Sequence, residues 1–184
     1  MSSGNEMSPR SPALIILSGL PGSGKTTFAD ALLREISADH IESDAVRRRI
    51  ASSPRYTPAE NRRVFDEVER RAASAIASGR IALIDATNLR EQDRLRFFSL
   101  AARSRVRVLA VRVIAPDPDI RRRLQAPRLG HSQAGPEIFE RMRGRTERFT
   151  CPAIAVDTRY SLGPPLRLLV QLLKESNQWI HPAP

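Results

Sequence analysis

The sequence predicts an α/β domain whose largely parallel sheet is covered by helices on both faces. Short apolar runs alternate with helical patterns along the chain, which is the signature of repeated strand–helix–strand units. A length of 184 residues, of which 41% are hydrophobic, suits one compact domain and argues against a fibrous or wholly disordered protein. In such a fold ligands bind where the carboxyl ends of the strands meet the loops, so the loops carry the functional reading.

In chain order, Met1–Pro12 is polar, holds two prolines and reads as a disordered leader without a signal-peptide core. The predicted domain spans 13–184. Ala13–Ser18 is a short buried strand, followed by a glycine-rich turn and a helix from about Lys25 to Ser37. His40–Ser43 is a weak strand leading to Asp44 and a short arginine-rich helix ending at Ile50. Thr57-Pro-Ala-Glu60 has the form of a capping box with proline at the first helical position, opening a long helix to Gly79. Ile81–Asp85 is the third strand, and Asn88 to Glu91 repeats the cap spacing ahead of a helix to about Arg103. Val106–Ile114 is the fourth strand, and Asp117-Pro118 caps a further helix. Ala126–Gly135 is rich in glycine, proline and polar residues, and Pro136 opens a helix to about Phe149. Ala153–Val156 and Pro164–Ser176 complete the pattern as a strand and a helix.

Thirty basic residues against 20 acidic ones give a formal charge of +10. Such a surface suits phosphate-rich partners, although arginine used broadly in place of lysine would give the same total. Only Lys25 and Lys174 are lysines. The single cysteine, Cys151, excludes an intramolecular disulfide, and no apolar run approaches a membrane span, so a cytoplasmic setting is expected.

Gly19-Leu-Pro-Gly-Ser-Gly24-Lys25-Thr26 matches G-x-x-x-x-G-K-[ST], after a strand and at the start of a helix. Gly19, Gly22 and Gly24 let successive backbone N–H groups turn inward around a phosphate, with Ser23 and Thr27 completing the binding segment. Lys25 supplies a mobile point charge for β- and γ-oxygens, and the Thr26 hydroxyl is a candidate Mg²⁺ ligand. Lysine here, in a chain that otherwise uses arginine, fits a site where a planar fork would fit badly. Asp85 ends the third strand, where a carboxylate could hold Mg²⁺ directly or through water; capping the next turn is its alternative role.

Asp44 is placed at the sheet's carboxyl edge, where it could take the proton of an attacking hydroxyl, or serve only as a helix N-cap. Arg47, one turn later, could bind an acceptor phosphate or the transferring group. Arg121–Arg123 and Arg128 flank the proline- and glycine-rich stretch, within a helical lid of about 121–149. Arg128 is the first choice to reach a γ-phosphate, Arg123 the second, and the others read as a solvated face. Arg70, Arg71, Arg94 and Arg96 fall on helix faces where biased composition is sufficient explanation.

These motifs, over roughly Ala13–Thr158, resemble the P-loop kinases related to polynucleotide 5′-kinases, including the stand-alone bacterial kinase group. The resemblance rests on Gly19–Thr27, Ser43-Asp44-x-x-Arg47, the Tyr56–Gly79 helix, Ile84–Leu89 and the arginine-rich lid before Pro136. It implies an NMP-kinase-like core that transfers the γ-phosphoryl group of ATP, with Mg²⁺, to a hydroxyl. By it Asp44 is the general base, Arg47 the acceptor-phosphate ligand, Lys25 and Thr26 the phosphate-loop pair, and Arg128 the lid arginine. The Arg123–Arg128 spacing is one residue longer than the family's Arg-Asn-x-x-Arg-like pattern, with Leu124 where asparagine is usual.

The favoured acceptor is a polynucleotide 5′-OH, approached along Arg48, Arg55, Arg62 and Arg63 with Tyr56 or Phe65 for base stacking. A sugar, antibiotic or nucleoside-like metabolite is the alternative acceptor, and a non-transferring regulatory ATPase the reading from another class. Neither a membrane nor an obligate protein partner is expected. Arg159 and Tyr160 are weak candidates for the neighbourhood of the nucleotide base.

Overall fold

The apolar runs assemble into a five-stranded, all-parallel sheet in the order β2-β3-β1-β4-β5. The structure is a computed structural model that describes residues 11–51, 53–125 and 136–175. The expected leader lies outside the described residues apart from Ser11 and Pro12, as do Arg128 and the stretch Ala126–Gly135.

The strands are β1 (Ala13–Ser18), β2 (Asp39–Glu42), β3 (Ala82–Asp85), β4 (Arg107–Ile114) and β5 (Ile154–Asp157). The helices are α1 (Lys25–Leu33), α2 (Ser43–Ile50), α3 (Pro58–Ala77), α4 (Glu91–Ser104), α5 (Asp117–Gln125), α6 (Pro136–Arg143) and α7 (Gly163–Lys174). β1 is buried at every position because it is central and covered on both sides. Its alternate residues divide between two cores. Leu14 and Ile16 join Val64 and Val68 of α3 and Phe97 of α4. Ile15 and Leu17 join Phe28 and Leu32 of α1 and Leu169 of α7.

A third, smaller cluster packs Ile120 and Leu124 of α5 against Phe139 of α6, with Leu20 alongside. Arg121 pairs with Glu140, and Arg143 with Asp117 at 2.9 Å, so α5 and α6 are cross-linked by charge as well as packed.

Several element ends differ from the sequence expectation. α1 stops at Leu33, since a tight turn with Glu35 and Ile36 N–H on the Leu32 carbonyl swings Ile36 into the core. α6 stops at Arg143 because the following residues are drawn into bonds with the loop before α4: Glu147 N–H donates to the Leu89 carbonyl.

Asn88 is not the cap of α4. Its backbone is left-handed (φ 44°), its side chain donates to the Leu17 carbonyl at 2.7 Å, and Arg90 takes the N-cap position without a side-chain cap. The Glu91 N–H is satisfied instead by the Glu147 carboxylate at 2.7 Å, an anion well placed at a helix N-terminus. Thr57 does cap α3, accepting from Glu60 N–H at 3.2 Å. The reciprocal half of the expected capping box is replaced: the Glu60 carboxylate turns to Arg47 and to the Arg55 N–H, because a buried guanidinium offers a stronger, charge-assisted bond.

Candidate active site

The carboxyl ends of β1, β2 and β3 lie side by side, so the loops leaving them converge on one place. The loop from β1 to α1 is glycine-rich for reasons of space as well as conformation. A Cβ at Gly19 would stand 2.3 Å from the Val113 carbonyl oxygen, and one at Gly24 (φ 98°) would stand 2.9 Å from Thr158 Cγ2. Gly19 N–H donates to the Thr87 carbonyl at 3.0 Å, and Ser23 N–H to the Leu20 carbonyl at 3.1 Å. Gly22 packs its open face toward Ile120 and Leu124 of α5. Lys25 Nζ donates to the carbonyls of Gly19 and Leu20, folding the ammonium over the loop's own mouth.

Thr26 Oγ1 donates to Asp85 Oδ2 at 3.2 Å, while Thr26 and Thr27 are solvent-accessible at the helix start. This brings two oxygen donors together from the start of α1 and the end of β3, the donor chemistry a hard divalent cation takes when phosphates and water complete its shell. The pair therefore fits Mg²⁺. His40, unremarked in the sequence, lies on β2 with Nε2 3.6 Å from the same Asp85 oxygen. Burial disfavours its charged form, but Asp85, with Glu42 and Asp30, outweighs that and raises its pKa above the ordinary value.

Asp44 lies inside the first turn of α2, whose N-cap position is Glu42, so N-capping is not its role. Burial raises the Asp44 carboxyl above its ordinary value, and neighbouring Asp85 adds to this. Lys25 and Arg47 pull the other way without cancelling the rise. Arg47 is buried. Its Nη1 pairs with Glu60 Oε1, its Nη2 donates to Asn61 Oδ1 at 2.8 Å, and its guanidinium lies 4.4 Å from the Tyr56 ring centre. Tyr56 has a left-handed backbone (φ 54°), costly for an aromatic residue, and Asn61 Nδ2 holds its carbonyl at 3.3 Å. Burial raises the Tyr56 hydroxyl above its ordinary value and Asp44 adds to this, while Arg47 and, more weakly, Arg141 of α6 oppose it.

Arg123 lies on α5 against the back of the phosphate loop. Its Nη1 donates to Thr158 Oγ1 at 2.8 Å and to the carbonyls of Gly22 and Ser23. Thr158, whose Oγ1 donates to the Ser23 carbonyl at 2.9 Å, fastens the loop after β5 to the same segment. Thr158 was not legible in sequence; the only local hint was its place just beyond a strand. Arg159 pairs with Asp157 at 2.6 Å, and Tyr160 beside it is 67% exposed.

The expected basic path divides. Arg55, Arg62 and Arg63 are exposed, and no described carboxylate pairs with their side chains. Phe65 is half-buried against the core, its ring 6.4 Å from Phe97, which leaves Tyr56 as the better placed of the two stacking candidates. Arg94 corrects the helix-face expectation: it is 2% exposed and hydrogen-bonded to three backbone carbonyls.

A parallel sheet in this strand order, with a glycine-walled phosphate loop opening α1 and a Thr26–Asp85 pair beside it, defines the P-loop kinase fold. The chain belongs to an AAA domain family, which it matches over residues 14–149. No curated protein sequence matches it. Among solved structures it is similar to a Mycobacterium tuberculosis APS kinase in complex with AMPPNP and APS, at TM-score 0.71 and 17% identity, covering 91% of this chain and 100% of that one. It is similar also to a gluconokinase from Sinorhizobium meliloti 1021, at TM-score 0.66 and 19% identity, covering 89% and 93%. A chain of a Pnkp1/Rnl/Hen1 complex aligns at TM-score 0.56 and 22% identity, over 67% of this chain and 43% of that one. At these identities the likeness is one of fold. No described helix is long and apolar enough to cross a membrane.

Proposed function

We propose that this protein is an ATP-dependent kinase that transfers the γ-phosphoryl group to an acceptor hydroxyl. The observation that carries the reading is Asp44: a partly buried carboxyl of raised pKa, with Lys25, Arg47 and Asp85 acting on it, at the edge where the phosphate loop ends. A nucleotide switch that transfers to no acceptor has no use for such a base.

In the proposed reaction the acceptor oxygen forms a bond to the γ-phosphorus as the bond from that phosphorus to the β–γ bridging oxygen breaks, leaving ADP. Asp44 takes the acceptor's proton. The loop N–H groups and Lys25, released from the Gly19 and Leu20 carbonyls, hold the phosphates. Thr26 and Asp85 would hold Mg²⁺, whose charge would help neutralise the phosphates. Arg123 supports the phosphate loop from behind, so its role here is to position that loop. Arg128 stays a candidate for the γ-phosphate.

The favoured acceptor is a polynucleotide 5′-OH. Exposed Arg55, Arg62 and Arg63, unpaired with described carboxylates, continue from Tyr56 and suit a phosphate backbone. One observation favours a small hydroxylated molecule instead: Glu60 already neutralises Arg47, and Tyr56 lies over it. A screen with γ-labelled ATP separates the two, comparing a 5′-OH oligonucleotide with nucleosides, sugars and aminoglycosides at low salt. Label on the oligonucleotide supports the first reading, and label only on a small molecule removes it.

A further inference from the structure

Arg94 is an unusual residue for its place. It stands in the N-terminal part of α4, where the helix dipole disfavours a cation, and it is 2% exposed with no described carboxylate as counter-ion. An apolar side chain would fill such a position at lower cost. Its guanidinium is instead spent on backbone. Nη1 donates to the carbonyls of Asn88 and Leu89 at 3.0 and 2.8 Å, and Nη2 to the carbonyl of Arg148 at 2.8 Å. The Phe149 ring lies 4.3 Å from its guanidinium carbon.

The two backbone segments so joined have different duties. The loop 87–89 holds the start of the phosphate loop: Thr87 accepts from Gly19 N–H, and both Thr87 and Asn88 accept from Ser18 Oγ. The segment 144–150 is the continuation of α6, whose Phe139 packs with Ile120 and Leu124 of α5 against the phosphate loop at Leu20 and Gly22, and whose Arg141 acts on Tyr56 electrostatically. Further bonds follow the same seam, from Glu147 N–H to Leu89 and from Glu91 N–H to Glu147.

We infer that Arg94 is a positioning residue that fixes the trailing end of α6 to the loop carrying the phosphate loop, and so sets the acceptor side against the nucleotide side. Its effect on turnover rests on the kinase reading above; its effect on the seam does not. A planar fork holds the two segments from separate nitrogens in fixed directions, Nη1 on one and Nη2 on the other, whereas an ammonium brings its three donors to a single point and lacks that geometry. Asn88 and Ser18 keep the phosphate loop in place without Arg94, so nucleotide binding is not its task.

Three variants test this: R94K, F149L and the double variant, with thermal melting, binding of a fluorescent ATP analogue, and the rate of trypsin cleavage after Arg145 and Arg148. R94K is expected to bind the ATP analogue within about threefold of wild type, yet to be cleaved at those arginines at least roughly tenfold faster and to show kcat lowered by a similar factor. F149L moves the same readouts less, and the double variant is no worse than R94K because both act on one contact. Wild-type cleavage in R94K, or equal loss of nucleotide binding and turnover, overturns the inference. Should R94K fail to fold, F149L decides: unchanged cleavage after Arg145 and Arg148 overturns it equally. If no acceptor supports turnover, the kinase reading fails while the cleavage arm still answers for Arg94.

Discussion

At Asp44 the proposed chemistry depends on a carboxyl partly withdrawn from water and acted on by Lys25, Arg47 and Asp85. Only its ionised form accepts a proton, and burial raises its pKa, so activity should fall as pH drops through a value above the ordinary carboxylate range. A pH profile of kcat/KM checks this, and an acid limb at or below the range of a free aspartate would count against Asp44. Glu60 behaves oppositely. Arg47 holds it below its ordinary 4.5, so its stabilising contribution is complete above that value and is lost as pH falls through the lowered one. Removing the carboxylate by E60A strands a buried guanidinium and should cost about 3–5 kcal/mol in urea unfolding. E60Q keeps the shape and frees Arg47 from its counter-charge, so KM for an anionic acceptor should fall while KM for a neutral one does not.

Among the elements, α3 shows how a local signal is honoured and then redirected. Thr57 caps it as the sequence predicts, and T57A should lower stability by about 1 kcal/mol in thermal or urea unfolding. Glu60, the other half of that motif, is recruited by Arg47 because a buried cation competes better for it than an exposed backbone N–H. The strands, the phosphate loop and the start of α1 were legible because each rests on neighbouring residues: a run of apolar side chains, or glycines at fixed spacing. The ends of α1 and α6, the role of Asn88 and the burial of Arg94 were not. Their causes are partners far away in sequence, such as Leu17 for Asn88 and Arg148 for Arg94. At the site, Lys25, Thr26, Asp85 and Asp44 could be named from motifs, whereas His40 and Thr158 enter only through strand pairing and loop docking.

Across the whole molecule the charge of +10 is unevenly used. Along the middle of α3, Arg70 and Arg71 pair with Glu67, while Arg96 and Arg103 of α4 pair with Glu69. At the end nearer Asp44, Arg55, Arg62 and Arg63 have no such described partners. If that end meets a nucleic-acid backbone, labelling of an oligonucleotide should weaken steeply between about 50 and 200 mM salt, while labelling of a neutral sugar should not. Phosphoryl transfer with Asp44 as the base is tested by one comparison: transfer from γ-labelled ATP by wild type and by D44N, with nucleotide binding measured alongside. D44N is expected to bind ATP as wild type does and to transfer roughly 10²–10⁴-fold more slowly. Transfer by D44N at the wild-type rate would contradict it.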